Sequence, residues 1–164
     1  MSSPPRMRLR ARILAIAFAL GAAGSIAGPI ACGRVEGSEV LPSIKLGMAP
    51  RDIRDRFEPS AQGSWQTKIG SAPGDDTVLE WVARDPSSSR VTTAKFEFHL
   101  GMLVAVRAHL REGTPAESIE VTPKTVTSRA PAASGGSDLT ILARDCPTHR
   151  EEAEAVASRS KPRS

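Results

Sequence analysis

The chain has 164 residues, 24% of them charged, and a formal net charge of +4; that length holds one modest domain with an appendage. Four of its 22 basic residues, Arg6, Arg8, Arg10 and Arg12, precede residue 13, where no acid occurs, so the rest balances at 18 bases against 18 acids. That neutrality removes the global argument for a nucleic-acid binder, which keeps a basic face after processing.

The four arginines are followed by the apolar run Ile13–Leu20, ILAIAFAL, and then by small and apolar residues up to Ala31. The core is shorter than the roughly 20 residues of a membrane span and fits the roughly 7–15 of a secretory leader. Gly21, Gly24, Gly28 and Pro29 weaken any longer helix. Residues 1–31 therefore read as a signal peptide. Ile30-Ala31-Cys32-Gly33 has the form of a lipobox, with Pro29 in place of the usual aliphatic residue. Cys32 is the predicted lipid-attachment site, and two acyl chains give stable anchoring. The alternative is cleavage after Ala27, at Ser25-Ile26-Ala27, leaving Cys32 to pair with Cys146 in an oxidising compartment.

Residues 32–40 read as a tether, and residues 41–111 as an α+β domain. Pro50 suits the first turn of a short helix, where its missing N–H is not needed. Ile53 and Phe57 share one face of that helix, and Pro59 stops it. Alternation at Trp65, Thr67 and Ile69, β-formers from Thr77 to Ala83, and two period-two runs around Gly101 predict strands. Asp75-Asp76, beside Pro73-Gly74, read as turn residues rather than as an acid–base pair. The predicted fold is a short amphipathic helix packed on a three- to four-stranded antiparallel meander. Residues 112–137, with Pro115, Pro123, Pro131, Gly135 and Gly136, read as a linker. A strand at Leu139–Ala143 and a helix at Glu151–Ala157 follow within residues 138–157, with Thr148 and Glu151 in capping-box spacing. Residues 158–164 read as a disordered tail.

The stretch from Ile44 through Gly47-Met48, Ile53 and Phe57 to Pro59, with the aromatic strands beyond it, resembles the SmpA/OmlA (BamE-like) family of small outer-membrane lipoproteins. The resemblance covers about 70 of the 164 residues. Ala49 stands where the family has a capping Thr or Ser, and Glu58 where it has glycine. It implies the helix-on-meander fold and a lipid-anchored scaffold of the cell envelope.

No phosphate-cradling glycine loop, Ser/His/Asp set or zinc-helix motif occurs, so the reading is non-catalytic, with no cofactor, no metal and no small-molecule substrate. Cys146 and His149 give a thiol near a helix start but no orienting third group, and two ligands fall short of a zinc site. His99 and His109 fall on the wet faces of adjacent strands, where they could meet across the hairpin. Trp65 and Trp81, the only tryptophans, are the candidate partner surface, although in so small a domain tryptophans are more often core, and the edge of the sheet is a second candidate. The sequence thus predicts an exported scaffold or protein-binding module, held in the outer membrane or periplasm by its lipid and meeting unidentified envelope proteins. A soluble, secreted or periplasmic inhibitor-like module closed by Cys32–Cys146 is the alternative.

Overall fold

The structure, a computed structural model, describes residues 41–69, 76–114 and 116–160. The signal peptide, the tether with Cys32, Asp75 and the last four residues lie outside that range.

The chain enters along Leu41, Ile44, Leu46 and Met48, all buried. Gly47, at φ +84°, turns it so that the Gly47 N–H bonds the Leu103 carbonyl at 2.8 Å and the Leu103 N–H bonds the Met48 carbonyl at 2.8 Å. The Gly-Met pair thus pins the entry segment to the sheet. Helix α1 (Pro50–Arg56) begins with its proline in the first turn, and no side chain caps it at Ala49. Ile53 and Phe57 are buried at 0% and 2% exposure, as their four-residue spacing predicts. A 3₁₀ turn, Glu58–Gln62, then leads into the first strand.

Seven strands follow: β1 (Gly63–Ile69), β2 (Thr77–Ala83), β3 (Val91–His99), β4 (Met102–Leu110), β5 (Ser118–Val121), β6 (Thr125–Pro131) and β7 (Ser137–Ala143). Helix α2 (Arg150–Arg159) ends the described chain. The strands form one antiparallel sheet in the order β1-β2-β3-β4-β7-β6-β5. The protein is therefore mixed α+β but dominated by strands. The expected meander is its first half, and the expected C-terminal strand docks as β7 on β4, with Ala108 opposite Leu139.

The segment 112–137 departs most from expectation, because it holds β5, β6 and the turn into β7. β6 pairs along its whole length with β7, from Thr125 opposite Ala143 to Pro131 opposite Ser137. Proline is accommodated at the strand's last residue. The chain crosses from β4 to the far edge and then folds back, so β7 fills the gap between β4 and β6.

The two helices cover opposite faces at opposite ends. On one face, Phe57 meets Trp65, Trp81 and Phe96 edge-on at 5.7, 5.1 and 5.4 Å between ring centroids, an arrangement favoured by the ring quadrupoles. Leu79, Phe98, Val106, Leu139 and Ile141 extend this core across the sheet. On the other face, α2 sets Ala153 and Val156 on Ala105, Val126 and Leu142. A register shift between Glu97 and Phe98 places Phe98 opposite Leu103. Around that shift Leu103, Val104, Ala105 and Val106 are buried in succession. Alternation puts Ala105 on the same face as Arg107 and His109, and it is dry there because α2 lies over it.

Candidate interaction surface

The face of β1–β4 opposite α1 is polar. Alternation puts Gln66, Lys68, Glu80, Lys95, Glu97, Arg107 and His109 on it, while their neighbours face the core. A shallow cleft of about 480 Å³ crosses this face, walled by Glu80, Lys95, Arg107, His109 and Asp138 with Val82 and Thr93 between them. Its charges pair among themselves. Lys68 bonds Glu80 at 2.8 Å, Lys95 bonds Glu97 at 3.0 Å, and His109 Nδ1 lies 2.8 Å from Asp138.

Where the cleft meets α2, the pairs become a network. Arg107 donates to Glu97 and also to both oxygens of Glu152, at 2.8 and 2.6 Å. His149, 7% exposed at the N-cap of α2, sets Nε2 at 3.3 Å from Glu97 and Nδ1 at 3.5 Å from Glu152. The hydrogen bond from His149 holds the Glu97 carboxyl down at about 2 against the opposing effect of burial, with Lys95 and Arg107 adding to it. The same bond raises the imidazole of His149 against its own burial. Strand-borne Glu97 and Arg107 and helix-borne His149 and Glu152 thus form an electrostatic latch that fastens α2 to the sheet. It joins residues 45 positions apart at Arg107 and Glu152, a separation no local motif signals.

The residues singled out in the sequence take different places. Trp81 is 0% exposed and anchors the aromatic core, so it offers no partner surface. Its Nε1–H reaches the Ser60 carbonyl at 3.4 Å. Trp65 lies against the core and remains partly exposed, with its Nε1–H on Ser60 Oγ at 3.0 Å and the Arg54 guanidinium 5.8 Å above its ring. Cys146 is 1% exposed within the larger core and has no disulfide partner among the described residues. His149 turns to the two glutamates, leaving no Cys–His pair. The spacing at Thr148 and Glu151 forms no capping box, since His149 occupies the N-cap without a side-chain cap bond.

His99 and His109 lie on one face as expected but do not meet. Thr93 stands opposite His109, and six residues of extended β3 separate Thr93 from His99, roughly 20 Å. Each binds its own acid instead, His99 to Asp76 and His109 to Asp138, both at 2.8 Å. Among the described residues, no group of three or more His, Cys, Asp or Glu is arranged to hold a metal ion, and no helix is long and apolar enough to cross a membrane.

What remains open is the edge. β1 is one of the sheet's two edge strands, and Ser64, Gln66, Thr67, Lys68 and Ile69 are exposed along it, Ile69 at 75%. No protein-family model, curated protein or solved structure matches the chain.

Proposed function

We propose that the chain is an exported, lipid-anchored, non-catalytic module of the cell envelope that binds protein partners through its sheet. The observation that carries the reading is a well-sealed domain whose clefted face is satisfied by its own ion pairs while an edge strand stays exposed. Reactive constellations keep a nucleophile, base or electrophile turned toward a pocket. Here the charged side chains are turned toward one another.

The export half of the reading rests on the n-region arginines, the apolar run and Cys32. The resemblance to SmpA/OmlA-like lipoproteins supports it through Gly47-Met48, Ile53 and Phe57, the residues that pin the entry segment and seal the helix here. Intact mass of the mature protein from membranes tests it. A diacylglyceryl adduct on a chain beginning at Cys32 is the expected result, and an unmodified chain beginning at Gly28 overturns it.

The soluble alternative needs Cys146 to reach Cys32. A disulfide requires Cα atoms within about 7 Å, and Cys146 is enclosed by the core, so the tether would have to enter that core. Burial of the thiol favours a packing role. Crosslinking pulldown from intact cells identifies the partners, and recovery of only the chain itself would confine the reading to self-association.

A further inference from the structure

We propose that β1 is a homotypic edge, along which two copies of this chain join antiparallel, centred on Gln66, into one continuous sheet.

The two edges of the sheet differ. β5 has four residues and is closed off by Pro123 two positions later, whereas β1 has seven residues and no proline. Long, flat, exposed edges invite strand addition, and proteins guard them with lysines and prolines. The lysine on β1 is a poor guard. Lys68 is drawn back across its own sheet onto Glu80, at 2.8 Å to each oxygen, so its charge is neutralised from within.

The occupant follows from the side-chain pattern of β1 itself. About a twofold axis at Gln66, all seven residues find partners, and no like charges stand opposite. Lys68 faces Ser64 of the second copy, Trp65 faces Thr67, and Gln66 faces Gln66, where two side-chain amides can exchange hydrogen bonds. Ile69, the most exposed large apolar residue, falls opposite Gly63. A side chain at Gly63 would collide with the Val82 carbonyl and the Trp81 ring, so that end of the strand stays bare. The bulky, exposed end of one strand thus meets the bare end of the other. Centring one step further along, on Thr67, pairs only residues 65–69 and leaves Gly63 and Ser64 outside the ladder. Centring on Lys68 opposes two lysines and leaves most of the strand unpaired. Such register choice by cross-strand pairs is how antiparallel ladders are specified.

Arg54 is the cost. It bonds Thr67 at 2.7 Å, so pairing brings two guanidiniums near each other over the axis. Screening weakens that repulsion, and the pair therefore tightens as salt rises. The interface is at the small end of specific contacts, and tethering both copies to one membrane raises their effective concentration.

Cysteine crosslinking of the full chain in its native membrane tests the register. Across the axis, position 66 meets itself at about 4.5–5.5 Å between Cα atoms, inside the range that a disulfide spans. Position 64 lies about 13 Å from its own copy. Under mild oxidation, Gln66→Cys is expected to give a dimer whose mass spectrum shows the 66–66 disulfide, more so at high salt. Ser64→Cys is expected to stay monomeric. Ile69→Lys, at a surface position that leaves the fold intact, is expected to lower the yield of the Gln66→Cys dimer by roughly threefold. Equal crosslinking of both cysteine variants, a monomeric Gln66→Cys, or its capture by a different protein overturns the homotypic edge. The tethering rests on the proposed lipid at Cys32, which intact mass reads separately, so a lipidated chain that gives no 66–66 disulfide overturns the edge and leaves the export reading standing.

Discussion

The two ends of this sheet are sealed by different physics. Under α1, the Phe57 ring lies 5.1–5.7 Å from those of Trp65, Trp81 and Phe96, and Trp65 lies 5.8 Å from Phe96. Under α2, the buried helix residues are only Ala153 and Val156, and the helix is fastened by Glu97, Arg107, His149 and Glu152. Apolar burial scales with the area removed from water, so the first end is the thermodynamic centre of the domain. The second depends on charges that water and pH can reach. A single sheet therefore has one end that responds to packing and another that responds to protonation.

Removing a ring separates the two ends most strongly. Trp81→Ala is expected to destabilise the whole domain by about 3–5 kcal/mol, visible as a fall in thermal midpoint with loss of both helices together. Gly63→Ala probes the same end from the strand. Its added methyl meets the Val82 carbonyl at 2.3 Å and the Trp81 ring at 2.4 Å, which is overpacking, and a loss of about 1–3 kcal/mol is expected by denaturant titration. An unchanged midpoint in either variant would show that the aromatic end is not the dominant one.

The latch at the other end is expected to give way locally. Glu97→Gln leaves His149 and Arg107 without their shared carboxylate, and the loss of charged hydrogen bonds costs about 1.5–3 kcal/mol. Amide exchange should rise first in α2 and β6, with β2 and β3 still protected. Uniform loss of protection would show that the ends are one cooperative unit.

The protonation of the latch gives it a pH window. Glu97 lies at about 2 against an ordinary 4.5, so its contribution is present above 4.5 and is lost as pH falls toward 2. His149 is raised above 6.5. Its contribution is present below 6.5 and is lost as pH rises through the folded-state value. Thermal midpoint should therefore be highest between about 4.5 and 6.5. His149→Gln should flatten the alkaline limb and weaken the acid one, where Lys95 and Arg107 still hold Glu97 down, whereas Glu97→Gln should flatten both. A wild-type midpoint that climbs steadily from pH 6 to 8 would contradict the assignment.

The contrast also explains what the sequence disclosed. At the aromatic end, one face is wet and the other dry, so Ala94, Phe96 and Phe98 alternate with charged neighbours and β3 can be read directly. β6 carries no such signal. Its residues Thr125, Thr127 and Arg129 share the face of Ala143, Ile141 and Leu139, while Val126 alone meets α2 in the smaller core. With one large apolar residue in seven, prolines nearby and two threonines and a serine among the rest, the segment has the composition of a linker. The latch was hidden for another reason. Its members come from β3, β4 and α2, and only the docking of β7 between β4 and β6 brings α2 over Arg107. Trp81 was legible in two ways, since residue type suggests an interface while strand alternation, with Leu79 and Ala83, places it in the core, where it lies.

The smallest expected effect lies in the β3–β4 turn, at the aromatic half of the sheet but outside its core. Leu100 has φ +50° and Gly101 φ +76°, the pair of positive values of a type I′ hairpin turn. Glycine adopts that conformation without strain, but leucine does not. Leu100 is also 70% exposed, so its side chain returns little burial for the strain. Leu100→Asn produces the Asn-Gly sequence that such turns favour, and a gain of about 0.5–1 kcal/mol is expected in chemical denaturation. The gain should appear without any change in the pH profile, because the turn touches neither Glu97 nor His149. A loss of stability would mean that the exposed leucine is covered by something in the folded protein, and would move the aromatic half's boundary out to its hairpin tip.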